Sequence, residues 1–147
     1  MSEAAEIVRN EEWFAFDSLG LGDGRVLHLS SDALRTALLR PSVLGEARVS
    51  SLRKEEPNQM CRLMPMWESP GRSAEERIVG GGGSFEEDGY VARFQGEELC
   101  WILFVTQGGP FFAGEVRGEE VWVTNEDGLV KLPLATHAIE ATIRTTR

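Results

Sequence analysis

Residues 99–105 (LCWILFV) are all apolar, so the two-residue alternation that marks a strand with one wet face is missing. Both faces of this stretch must be covered. Seven residues are few for a helix, and Gly96 before the run and Gly108, Gly109 and Pro110 after it close it at both ends. The pattern predicts a buried central strand, with Leu99, Trp101, Leu103 and Val105 toward one layer and Cys100, Ile102 and Phe104 toward another.

A core with two covered faces needs enough chain to supply the covers, and 147 residues suffice for one domain without disulfides or a structural metal. Hydrophobic residues at 41% and charged residues at 27% give the balance of a folded chain, not a disordered one. The longest apolar run falls far short of the roughly 20 residues that span a bilayer, so no membrane partner is expected. Residues 1–10 (MSEAAEIVRN) lack the basic and apolar regions of a signal peptide, which makes a cytoplasmic location the expectation. Cys61 and Cys100, the two cysteines, each sit in an apolar pattern and read as small core residues.

Along the chain, Ser2 is the expected N-cap of a short helix carrying Ala4, Ile7 and Val8 on one stripe. Residues 12–17 (EWFAFD) alternate as a strand, residues 18–24 (SLGLGDG) end in the Asp-Gly signal of a hairpin, and residues 25–30 form the return strand. Ser31 caps a predicted helix over residues 32–40, which Pro41 ends. Residues 45–53 read as a strand, residues 54–58 as a turn, and residues 59–67 as a strand, because Pro65 is rejected by a helix interior. Residues 68–89 are linker-like, and residues 80–84 spell GGGGS, the repeat unit of engineered flexible linkers. A flexible internal loop is expected there, native or substituted for a longer insertion. Residues 90–95, 99–105, 111–117, 120–125 and 129–132 then form five strands of an antiparallel meander. Residues 134–143 fit both a helical stripe and a β-branched strand; Pro133 in a first turn favours the helix. Neither half of the chain has a core of its own. The expected fold is one α+β domain over residues 1–147, a mainly antiparallel curved sheet or partly open barrel with one to three helices packed on it.

No residue pattern specifies catalysis. His28 and His137 are the two bases available to a Cys or Ser nucleophile, and Cys100 lies where burial would raise a thiol's pKa, the wrong direction for attack. His137 and Glu140 share a helical spacing, yet no CxxC or HExxH motif accompanies them, so no metal and no cofactor is expected. Asn125, Asp127 and Gly128 lack the acidic ligands of a calcium loop and read as a hairpin turn. Gly20, Gly22 and Gly24 depart from the dinucleotide fingerprint by one position, and Asp23 would repel phosphate.

Charge and aromatic content are more informative. The net charge of −9 disfavours nucleic acid and anionic lipid and favours basic partners. Residues 25–72 run against that trend, with five acids and eight bases. Nucleic-acid contact through Arg35, Arg40, Arg48, Arg53, Lys54 and Arg62 is therefore a weaker reading. Trp13, Phe14, Phe16, Trp67, Phe111 and Phe112 are more rings than a small domain easily buries, and rings left exposed beside acids would anchor a protein partner. The expectation is a non-enzymatic adaptor, chaperone or inhibitor that binds a basic protein. Its rival is a small-molecule site, enzymatic or not, in the mouth of a barrel lined by Trp101, Trp122 and His28.

Overall fold

The computed structural model describes residues 2–30, 34–35, 38–39 and 42–145. Helix α1 (Glu3–Arg9) is followed by strands β1 (Glu12–Phe14), β2 (Ser18–Leu21) and β3 (Arg25–Leu29). The short pair β4 (Leu34–Arg35) and β5 (Leu38–Leu39) precedes β6 (Val43–Arg48), helix α2 (Val49–Glu55) and a 3-10 turn (Pro57–Gln59). Then come β7 (Met60–Arg62), β8 (Met64–Pro70), β9 (Glu76–Gly82), β10 (Gly89–Gln95) and β11 (Glu98–Val105). The chain closes with β12 (Ala113–Arg117), β13 (Glu120–Asn125), β14 (Gly128–Pro133) and helix α3 (Thr136–Thr145).

The fold is α+β, built on a curved antiparallel sheet of seven strands in the order β6-β3-β2-β11-β10-β9-β8, with no closed barrel among the described residues. Strand β11 lies at its middle, between β2 and β10, as its unbroken apolar run requires. One face packs Leu21, Leu27, Val91, Trp101 and Leu103 against Val121, Leu132 and Ile139 of the C-terminal sheet and helix. The other packs Phe94, Ile102 and Phe104 against Ile7 of α1, Trp13 and Phe14 of β1 and Val49 of α2. Among the described residues no helix is long and apolar enough to cross a membrane.

The expected odd-even division of the central strand is broken at one end. Arg93 pairs with Trp101 while Phe94 pairs with Leu99, so Cys100 is the extra residue of a β-bulge. Beyond the bulge the alternation inverts, and Leu99 joins Ile102 and Phe104 while Cys100 packs on the opposite face.

Five further expectations are corrected. Residues 68–89 are not a flexible linker, because Glu76–Gly82 is a strand hydrogen-bonded to β8 on one side and β10 on the other. Its glycines are steric necessities. A Cβ added at Gly80 would overlap the Trp67 indole, and so would one at Gly114, since that ring lies between β9 and β12. The indole N–H of Trp67 donates to the Phe111 carbonyl at 2.8 Å and fixes it there.

The second glycine-rich stretch behaves alike. Ser18–Leu21 is strand, not loop, and Trp13 lies against Gly20 with its N–H donating to Ser18 Oγ at 3.1 Å. Consequently β1 stops at Phe14, and the chain bends before β2; buried Asp17 holds that bend to β11 by accepting from the N–H and Oγ1 of Thr106, both at 2.8 Å.

The strand expected over residues 45–53 ends at Arg48, where α2 begins. Val49 and Leu52, one helical turn apart, both pack on the core, which selects helix over alternation. In the span expected as a helix over residues 32–40, Leu34–Arg35 and Leu38–Leu39 pair antiparallel; its remaining positions lie outside the described residues. Nine residues are too few for helix propensity to hold without tertiary support. The meander is also split in two. Strand β2 occupies the edge of β11 that a continuing meander would need, and the chain turns away through Gly108 (φ +94°) and Gly109 (φ +75°) to build β12-β13-β14 as a separate sheet.

Helices α1 and α3 form where expected. In α1 the Ser2 Oγ accepts from the Ala5 N–H at 3.1 Å, with Glu3 and Glu6 in the first turn and Arg9 in the last, each favoured by the helix dipole. In α3, Ile139 and Ile143 supply the buried stripe.

Candidate functional site

Helix α1 and strands β1 and β7 cover the Phe104 face of the large sheet but leave a cleft over β8, β9 and β10. It holds about 270 Å³ and is lined by Val8, Arg9 and Glu11 from the end of α1, Pro65 and Glu68 from β8, Arg77 and Val79 from β9, and Tyr90, Ala92 and Phe94 from β10. The register explains the wall: Val79 is paired with Ala92 and Arg77 with Phe94, so their side chains share one face.

Tyr90, the chain's single tyrosine, is 2% exposed. Its hydroxyl has no hydrogen-bond partner in the protein among the described residues and keeps its solvent contact at the cleft. Burial pushes its pKa well above the usual tyrosine value, and the Glu11 carboxylate adds to that rise while Arg77 opposes it.

The charges around the cleft are unequally matched. Arg77 lies over the Phe94 ring at 4.3 Å and pairs with Glu68 at 3.6 Å, and Arg9 pairs with Glu97 at 3.4 Å. Glu11 makes no ion pair or hydrogen bond through its side chain among the described residues. It also has φ of +62°, the one left-handed non-glycine backbone among the described residues. That position follows the C-cap Asn10 of α1, where glycine is the usual occupant.

The six aromatic anchors expected from sequence are dispersed. Trp13, Phe14 and Phe111 are sealed in the interior and offer nothing to a partner of the folded chain; each covers a face of the sheet. Trp67 is half-buried between Gly80 and Gly114. Phe16 is half-buried, its ring tilted against the exposed His28 ring at 4.4 Å, and Phe112 alone of the six is exposed, at 50%. Composition gave no signal for the other large apolar side chains exposed among the described residues: Met64 and Met66 beside Pro65 on β8, Phe85 after β9, Leu44 on β6 and Leu129 on β14.

Trp101, Trp122 and His28 share no cavity. The Trp101 indole is fully buried and donates to the Leu134 carbonyl at 2.8 Å, whereas Trp122 stands on the outer face of β13 between the cations of Arg117 and Lys131. His28 lines a separate hollow with Phe16 and Leu52. Burial raises the pKa of both thiols, Cys61 and Cys100, away from nucleophilic use. Glu140 is held by Arg25 and Arg144 at 2.9 Å each, and no group of three acids, histidines or cysteines is placed to hold a metal among the described residues. Asp127 donates its N–H to Asn125 Oδ1 at 2.9 Å in a hairpin turn. Of the basic set, Arg48 donates to the Asp23 carbonyl and Arg53 to Glu3. The side chains of Arg35 and Arg40 lie outside the description.

No protein-family model, curated protein or solved structure matches the chain.

Proposed function

We propose that the chain is a non-enzymatic binding module for a basic protein partner, acting as an adaptor, chaperone or inhibitor. The observation that carries this reading is the unmatched negative charge of Glu11 at a cleft bordered by β8, the strand that exposes Met64 at 57% and Met66 at 54%. Adaptable methionines exposed on the strand that borders the acidic notch suit a protein surface. A volume of about 270 Å³ accommodates one side chain of a larger partner. The net charge of −9 extends the attraction beyond the cleft. Phe112 and Phe16 are the two sequence-derived anchors with accessible ring surface outside the Trp67 packing.

Cross-linking in the native host followed by mass spectrometry identifies the partner, and the purified pair is then followed by stopped flow. The expected result is a saturable complex whose association rate falls about tenfold or more as ionic strength rises to about 0.3 M. A partner that is acidic, or an association rate indifferent to salt, contradicts the reading.

A further inference from the structure

We infer that the cleft beside Tyr90 is a specificity pocket for one basic side chain of the partner, with Glu11 and the Tyr90 hydroxyl receiving its charged end and Val79, Ala92 and Phe94 its aliphatic stem. The inference deepens the binding-module reading and rests on it.

Three independent features converge there. The first is Tyr90, whose side chain is almost wholly buried while its hydroxyl, with no protein partner among the described residues, opens on the cleft, where it has lone pairs to offer a donor. The second is the charge count. Both arginines of the lining already have counter-charges in Glu68 and Glu97, so the uncompensated group is the Glu11 carboxylate. A lysine ammonium or arginine guanidinium supplies the missing cation and donates to both oxygens. The third is strain. A left-handed backbone is costly for a non-glycine residue, and a glutamate at a position that favours glycine is explained when its side chain has work outside the fold. Hydrogen bonds hold this backbone, the Glu11 N–H donating to the Val8 carbonyl at 2.9 Å and its carbonyl accepting from Leu63 N–H at 2.7 Å. The carboxylate is thus positioned before any ligand arrives.

The test is a titration of the isotope-labelled chain with the capped pentapeptide Gly-Gly-Lys-Gly-Gly, its arginine counterpart and a norleucine control that keeps the stem but lacks the charge. Saturable shifts are expected at residues 8–11, 77–79 and 90–94 with a basic peptide and not with norleucine. Glu11→Gln is expected to weaken the interaction about tenfold and Tyr90→Phe about three- to fivefold, with both variants folded by their spectra. Shifts spread evenly over the acidic surface, no saturation, or an affinity unchanged in Glu11→Gln overturns the pocket. A partner complex that forms normally with Glu11→Gln removes the pocket and leaves the binding-module reading standing. Peptide binding at the cleft with a partner that is not basic removes that reading instead.

Discussion

On the face of the large sheet that carries Trp67, the big side chains are matched: Trp67 and Trp101 each donate to a backbone carbonyl, and glycines make way for the Trp67 ring. At one end of that region Glu76 is 3% exposed yet accepts from the Arg72 backbone and from the guanidinium of Arg93 at 2.6 Å. On the opposite face, the corner over β8, β9 and β10 leaves a hydroxyl unpaired, a carboxylate uncompensated and a backbone in the left-handed region. The contrast separates two uses of a sheet. Where satisfaction is complete, removing a group costs stability; where it is incomplete, removing a group costs only what that group does for a ligand.

Substitutions that sharpen this contrast fall in a definite order. Trp101→Ala on the closed face is expected to lower unfolding free energy by about 3 to 5 kcal/mol in denaturant titration, through a cavity and a lost hydrogen bond. Acid comes next. Burial pushes the Glu76 carboxyl up, but the Arg72 N–H and the Arg72 and Arg93 guanidiniums outweigh it and hold its pKa at about 2. A depressed folded pKa means the stabilisation is present above the unfolded value of 4.5 and lost as pH falls toward 2. Roughly 3 kcal/mol should disappear across that window, and Glu76→Gln should remove most of the loss. Gly80→Ala must displace the Trp67 indole and is expected to cost about 1 to 3 kcal/mol, visible also as a change in tryptophan fluorescence. Tyr90→Phe on the open face is expected to change stability by no more than about 0.5 kcal/mol, because no hydrogen bond within the protein is lost. A large drop for Tyr90→Phe would erase the distinction between the two faces.

The strands and hairpins that depend on local pattern were legible in the sequence. The run at residues 99–105 located the central strand, Ser2 located the start of α1, and Asp127-Gly128 located a hairpin. What misled was the glycine content at residues 18–24 and 80–84. In each case the glycine answers to a tryptophan from another strand, Trp13 over Gly20 and Trp67 over Gly80, and composition cannot distinguish that from a flexible loop. The bulge at Cys100 was equally invisible, since it arises from the pairing with β10. The cleft was illegible for a similar reason: Glu11, Arg77 and Tyr90 are distant in sequence and meet through the β9-β10 register and the end of α1. The aromatic count raised the expectation of a surface site, yet Trp13, Phe14 and Phe111 went to the core.

The most direct measurement is the thermal unfolding of Glu11→Gly with and without the lysine pentapeptide. Glycine relieves the left-handed backbone, so the variant alone should be more stable than the native chain by about 0.5 to 1 kcal/mol. Added peptide should raise the midpoint of the native chain and, at the same concentration, raise that of the variant markedly less. A variant less stable than the native chain, or one that gains as much stability from the peptide as the native chain does, would contradict the assignment of this corner to ligand binding.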